Sequence, residues 1–262
     1  MFYYLPFLSS IVPALILLYI FYSQDRYPEP TGMIFKTFII GVVLCFPAGY
    51  LNNLAIDWIE TSQKLGQISN ESAIFYDSLI PGALIEECLK FLVLYFYCFK
   101  SEHLDERIDA LVYGTTISLG FATLENYHYV MRADDFGLTW SELAWMRAFS
   151  AVPAHAMWGI IMGYFLYNYK EHKLKSFTLA LGVPITLHML YNASYFSYML
   201  VLFVSLMLTI SFVSKSKKLQ NLNPWLDLIE DDESIFLDKK NNSKSATEIE
   251  VDGIKIVSKH KK

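Results

Sequence analysis

Ile85-Glu86-Glu87-Cys88-Leu89-Lys90-Phe91 lies near the middle of an apolar run that extends from Ala73 to Phe99. The run is long enough to cross a bilayer core of about 30 Å. A charged side chain at that depth costs about 2.5–3.5 kcal/mol on insertion scales. Two carboxyls and an amine placed there mark a polar site buried in a membrane protein. Glu86 and Lys90 are four residues apart and share a helix face, whereas Glu87 points about 100° away from Glu86. A self-neutralising ion pair that locks helix packing would account for Glu86 with Lys90. It leaves Glu87 over.

The rest of the chain has the same character. Its 262 residues are 54% hydrophobic and 16% aromatic, with mean hydropathy +0.31, as in a polytopic membrane protein. The formal charge of −5 gives no indication of nucleic acid. Cys45, Cys88 and Cys98 all fall in apolar stretches. An odd count in such places argues against a disulfide framework, and the spacing matches no zinc ribbon. The run from Phe2 to Tyr22 lacks a basic n-region and a clear small-residue cleavage site, so it reads as a retained helix.

About seven spans are expected, over Phe2–Ser23, Gly32–Ala55, Ala73–Phe99, Ile108–Met131, Leu143–Asn168, Leu174–Ala193 and Tyr195–Ser214. The fold class is therefore an all-α polytopic bundle. Residues 1–214 form its membrane domain, and 215–262 a short polar tail expected to be disordered. Within the tail, Glu248 to Val257 alternates around Asp252-Gly253, a hairpin signal. Basic residues concentrate on one side: Arg26, Lys36, Lys100, Arg107, Lys170, Lys173, Lys175, Lys215, Lys217 and Lys218, against Lys64, Arg132 and Arg147 on the other. The positive-inside rule then puts the N-terminus outside and the C-terminus in the cytoplasm.

Three more spans carry polar residues. In the fourth, Glu125 continues a stripe of Gly114, Ser118 and Ala122, small residues that allow close helix approach. In the fifth, Ala151, His155, Gly159 and Gly163 step by four, and Pro153 is expected to bend the helix near the imidazole. In the sixth, His188 and Asn192 share a face, so the amide can orient the ring. Taken singly, each has an ordinary explanation as an interfacial carboxylate or an interhelical hydrogen bond. At 1.5 Å per residue, Glu86, Glu125, His155 and His188 all fall about 18–25 Å from the start of their spans, so they can meet at one level.

Such a set suits hydrolysis. A carboxylate can take a proton from water, and histidine, lysine or asparagine can stabilise an oxyanion. Glu125, His155 and His188 also have the residue types of a zinc site, although no H-E-x-x-H is present. A proton-coupled transporter or channel would use the same buried Glu, Lys and His as a relay. A scaffold that displays the tail would not need them at all.

Four blocks in this order resemble the PrsW family of intramembrane proteases: Glu86-Glu87-x-x-Lys90-Phe91, Gly120-Phe121-x-x-x-Glu125-Asn126, His155-Ala156-x-x-Gly159 and His188-x-x-x-Asn192. The loop Asp25-Arg26-Tyr27-Pro28-Glu29-Pro30 adds to the likeness. The family is similar to CAAX-type prenyl endopeptidases and Abi proteins. Those have Phe-x-x-x-His where this chain has Phe121-x-x-x-Glu125, and an arginine ending the paired-glutamate motif where this chain has Lys90. The resemblance implies an integral protein of the bacterial cell membrane that cleaves membrane-anchored substrates such as anti-sigma factors. It also implies Glu86, Glu87, Lys90, Glu125, His155, His188 and Asn192 as site residues. The catalysis it implies is either zinc-dependent or driven by a glutamate-activated water.

Overall fold

The computed structural model describes residues 4–171, 173–193, 198–237, 248–251 and 254–257. Two compact units are present, Met1–Gln220 and Asn221–Lys262. The first is all-α. Its helices are α1 (Tyr4–Tyr22), α2 (Thr31–Lys64), α3 (Asn70–Leu79), α4 (Ile85–Val93), α5 (Arg107–Met131), α6 (Trp140–Phe149), α7 (Ala151–Lys170), α8 (Lys175–Ala193) and α9 (Tyr198–Leu237, which continues into the second unit). In the second unit, β1 (Glu248–Val251) pairs antiparallel with β2 (Ile254–Val257), Glu248 opposite Val257. The Asp252-Gly253 turn lies outside the described residues. So do parts of the tail expected to be disordered and the join expected near Ala193-Ser194.

Helical segments stand at each expected span position, with corrections to their continuity. Among the described residues, four stretches are long and apolar enough to cross a membrane unaided: Tyr4–Tyr22, Thr31–Lys64, Trp140–Lys170 and Tyr198–Asn221. The third expected span is not one helix. Pro81 (ψ 143°) and Gly82 (φ 75°, ψ −82°) leave helical geometry in a wide turn over Ile80–Leu84, and α4 starts afresh at Ile85. Pro81 lacks the N–H that would continue α3, and a positive φ is open to glycine at little steric cost. The fifth expected span is likewise two helices, α6 and α7, hinged at Ser150 (φ −123°, ψ −72°). Pro153 does not bend α7. It sits in the first turn, where a missing N–H breaks no hydrogen bond.

The centre of the bundle is the α5–α7 pair. A Cβ added at Gly114 would stand 2.2 Å from the Gly159 carbonyl oxygen, and one at Gly163 would stand 2.0 Å from that of Ala110. The two backbones therefore touch, as small-residue seams permit. On its other side α5 meets α2, where Gly120 would clash with Phe38 and Gly41 with Ile117. Tyr113, Ile117, Phe91, Leu94, Met162 and Leu166 fill the core around this pair. Large apolar side chains on α1 and α2, among them Tyr19, Phe35 and Trp58, are exposed on the outer surface, as a lipid-facing wall requires. Gly163→Val is expected to wedge α5 from α7 and cost about 1–3 kcal/mol, as overpacking does. Thermal unfolding in detergent would report it, and an unchanged midpoint would mean that the seam is slack.

The loop after α1 is tied to the neighbouring helix ends. The Tyr22 hydroxyl donates to the Glu29 carbonyl oxygen at 2.8 Å, and the Tyr113 hydroxyl donates to the Glu29 carboxylate. Gln220 Nε2 donates to Asp25 Oδ1 at 2.7 Å and to Glu106 Oε2 at 2.5 Å. Burial pushes the Asp25 and Glu29 carboxyls above their ordinary range.

Candidate active site

The turn before α4 decides which way its first residues face. Glu86 and Glu87 occupy the opening turn of α4 and Lys90 the next. All three are buried, Lys90 to 1% exposure. Lys90 Nζ donates to Glu87 Oε1 at 2.8 Å and stands 3.6 Å from Glu86 Oε2. It also lies 3.1 Å from His155 Nδ1 and over the Phe121 ring, 4.2 Å from its centroid. An ammonium is donor-only, so His155 Nδ1 accepts and Nε2 carries the hydrogen. That Nε2 donates to Glu125 Oε2 at 3.0 Å.

Glu125 comes from the C-terminal end of α5 and is fixed from a second direction. Arg147 of α6 donates through Nη2 to Glu125 Oε2 and through Nε to Asn126 Oδ1, both at 2.6 Å. Its guanidinium packs on the Tyr129 ring at 3.9 Å. His188 of α8 donates from Nδ1 to Glu87 Oε1 at 3.0 Å. Its ring stacks on Trp158 at 4.3 Å and meets the His155 ring edge-on at 5.5 Å. With Nδ1 spent on Glu87, His188 keeps the lone pair of Nε2. Glu87, not Asn192, thus orients the His188 ring among the described residues. The Asn192 amide instead lies over the turn, its Nδ2 3.0 Å from where a Cβ on Gly82 would stand.

A cavity of about 1020 Å³ opens onto this cluster. Glu86, Glu125, His155, His188 and Asn192 line it, but Glu87 and Lys90 do not. The two adjacent glutamates therefore have different surroundings, as their 100° offset on a helix dictates. Aromatic residues Phe46, Tyr50, Tyr127 and Phe136 wall the cavity, and Asp77, Arg132 and Asp135 also border it. Glu86 Oε2 and Glu87 Oε2 are buried and without a hydrogen-bond partner among the described residues.

The seven residues singled out in the sequence thus converge on one place, from α4, α5, α7 and α8. Three others belong with them. Arg147 was counted above among the basic residues of the outer side, yet it holds Glu125. Trp158 backs His188. Asn52 of α2 contacts both Glu86 and Gly82. Adjacent asparagines, Asn52-Asn53, inside an otherwise apolar run were the available signal.

Residues 29–214 match the family described as PrsW family intramembrane metalloprotease. The chain belongs to the PrsW family. It is 35% identical over 187 residues to Protease PrsW of Oceanobacillus iheyensis, covering 70% of this chain and 80% of that protein. Against Protease PrsW of Bacillus subtilis it is 35% identical over 189 residues, 70% of this chain and 79% of the other. Against that of Clostridioides difficile it is 33% identical over 189 residues, 70% and 75% respectively. No solved structure matches. Family membership makes this PrsW-type chain an integral membrane hydrolase that acts on membrane protein substrates, and it does not favour a transporter.

The family description includes a metal, and the donor set here fits one. Glu86, Glu125 and His155 each offer a ligand atom, and these atoms lie within 4.8 Å of one another. Carboxylate and imidazole are zinc ligand types; Glu86 Oε2 makes no hydrogen bond among the described residues, though it stands 3.6 Å from Lys90 Nζ, and His155 would ligate through Nε2 in place of its bond to Glu125. The trio differs from the sequence-based set of Glu125, His155 and His188 by exchanging His188 for Glu86.

Proposed function

We propose that this PrsW-family protease hydrolyses a peptide bond of a membrane-anchored, anti-sigma-factor-like substrate, with Glu86 as the base that activates water. The observation that carries the reading is the asymmetry of the paired glutamates. Glu86 borders the cavity and meets Lys90 only at 3.6 Å, while Glu87 lies off the cavity and is held by Lys90 at 2.8 Å and by His188 at 3.0 Å. In this reading Glu86 takes a proton from water, and the oxygen attacks the scissile carbonyl carbon. The proton then passes to the departing amide nitrogen. His188 Nε2 and the Asn192 amide flank the reacting carbonyl, and an amide N–H is suited to its developing negative charge. Glu87 keeps Lys90 and His188 in place, and Arg147 with Glu125 keeps His155 in place.

A metal held by Glu86, Glu125 and His155 would supply a Lewis acid and lower the proton affinity of a bound water, and Glu86 would then serve as a ligand in place of its role as base. Elemental analysis of purified protein, with His155→Ala and His188→Ala beside the wild type, tests that arrangement. About one zinc per chain, lost in His155→Ala and kept in His188→Ala, is the expected result for that donor set. Loss in His188→Ala alone would return His188 to the ligands. Active, metal-free protein would leave water activation to Glu86 without a metal.

The membrane arrangement in this reading has about seven spans, with the N-terminus outside and the C-terminus in the cytoplasm of a bacterial cell. Residues 215–262 form a cytoplasmic tail. Reconstituted protein that cleaves a single-span anti-sigma factor, while its Glu86→Gln variant leaves it intact, is the expected outcome. Proton flux in liposomes with no proteolysis would overturn the assignment.

A further inference from the structure

Asn52 lies near the end of the apolar part of α2, where an unsatisfied amide would be costly. Its side chain is satisfied from two directions. The Gly82 backbone N–H, released from helical bonding by the break at Pro81-Gly82, donates to Asn52 Oδ1 at 3.1 Å. That contact fixes the amide orientation, so Asn52 Nδ2 is the group that donates to Glu86 Oε1 at 3.2 Å. One amide therefore joins α2 to the turn and to the first carboxylate of α4. The bond occupies one oxygen of Glu86 and leaves Oε2, buried, 3.6 Å from Lys90 Nζ and without a hydrogen-bond partner among the described residues, as its other lone-pair site.

Space around the turn is tight. A Cβ at Gly82 would stand 3.0 Å from Asn192 Nδ2 and 3.9 Å from both Glu86 Oε1 and His188 Nε2. The glycine is the floor on which Glu86, His188 and Asn192 come together, and Asn52 holds that floor from behind. We infer that Asn52 is a positioning residue for Glu86: it pins the turn at Gly82 and aims one oxygen of Glu86 at the attacking water. The inference rests on Glu86 being the base.

Asn52→Asp separates the two contacts. The ionised carboxylate still accepts from the Gly82 N–H but repels Glu86, and a proton shared by the two carboxyls would occupy the oxygen that must take one from water, so kcat falls in either state. The assay uses a detergent-solubilised single-span peptide that the wild-type protein cleaves, with thermal unfolding run in parallel. Losing a hydrogen bond to a charged group in the reaction geometry lowers kcat about 10–100-fold. Substrate binding is not at stake, so KM stays within about threefold. Asn52→Ser, whose short hydroxyl cannot span both partners, should show the same kcat loss and provides the reading if Asn52→Asp does not fold. Wild-type kcat in either folded variant would overturn the inference. Glu86→Gln is run beside them. If it cleaves normally, the base assignment fails. If it is inactive while Asn52→Asp is fully active, only the role of Asn52 fails.

Discussion

Glu86→Gln should lower the cleavage rate by about 10²–10⁴-fold, the usual contribution of a positioned general base, while insertion and thermal stability stay near wild type. The side chain keeps its shape, and its carbonyl oxygen still accepts from Asn52 Nδ2. What is lost is the ability to take a proton. Glu87→Gln should behave differently. It weakens the 2.8 Å contact with Lys90 and the 3.0 Å contact with His188, so stability should fall together with activity. Single-turnover cleavage and thermal unfolding on both variants separate the two roles. Full activity in Glu86→Gln, or a Glu87→Gln protein that loses activity with no loss of stability, would require the roles to be exchanged.

Lys90→Met should produce the largest loss of stability. The ammonium is almost wholly buried and faces Glu87 at 2.8 Å, Glu86 at 3.6 Å and His155 at 3.1 Å. Removing it leaves two buried carboxylates without their cation. Breaking a buried ion pair from one side costs about 3–5 kcal/mol. Methionine fills most of the volume, so a cavity term adds little. Adding Glu87→Gln to Lys90→Met should restore part of the stability, because it removes the more closely paired of the two charges. It should restore none of the activity, because His188 has lost its carboxylate partner and His155 its bond from Lys90. If Lys90→Met unfolds at the wild-type midpoint, the ammonium does not neutralise this cluster.

The residues that the sequence made conspicuous were those whose presence in an apolar run is expensive. Glu86, Glu87, Lys90, Glu125, His155 and His188 stand out because charge and imidazole seldom occur at such depth, and helical rise alone suggested that they share a level. Helix existence was legible for the same reason, since long apolar stretches have few alternatives. Continuity was not. The break at Pro81-Gly82 was signalled by a dipeptide that punctuates structure, but the surrounding hydrophobicity masked it. The hinge at Ser150 had no strong signal, and Pro153 pointed to the wrong place. Arg147 was counted only for its side of the membrane, because a basic residue near the start of a span normally faces water. Only the fold shows that α6 turns it inward to Glu125. Asn52 was passed over because a neutral amide is a weaker anomaly than a charge.

The site is built on two kinds of joint. Glu125 and His155 stand on α5 and α7, whose backbones meet at Gly114, Gly159 and Gly163 with no side chain between them. Glu86 and His188 stand on α4 and α8, which are linked through side chains, by Glu87 with His188 and by Phe91 against Phe177. The first joint has nothing left to compress. The second can change by rotation about side-chain bonds, and α4 is only nine residues long, detached from α3 by the turn at Pro81-Gly82. The bundle thus behaves as an anvil and a jaw. Any compliance needed to admit a polypeptide would fall to the α4–α8 side, because the α5–α7 seam has no side chain between its backbones to give way.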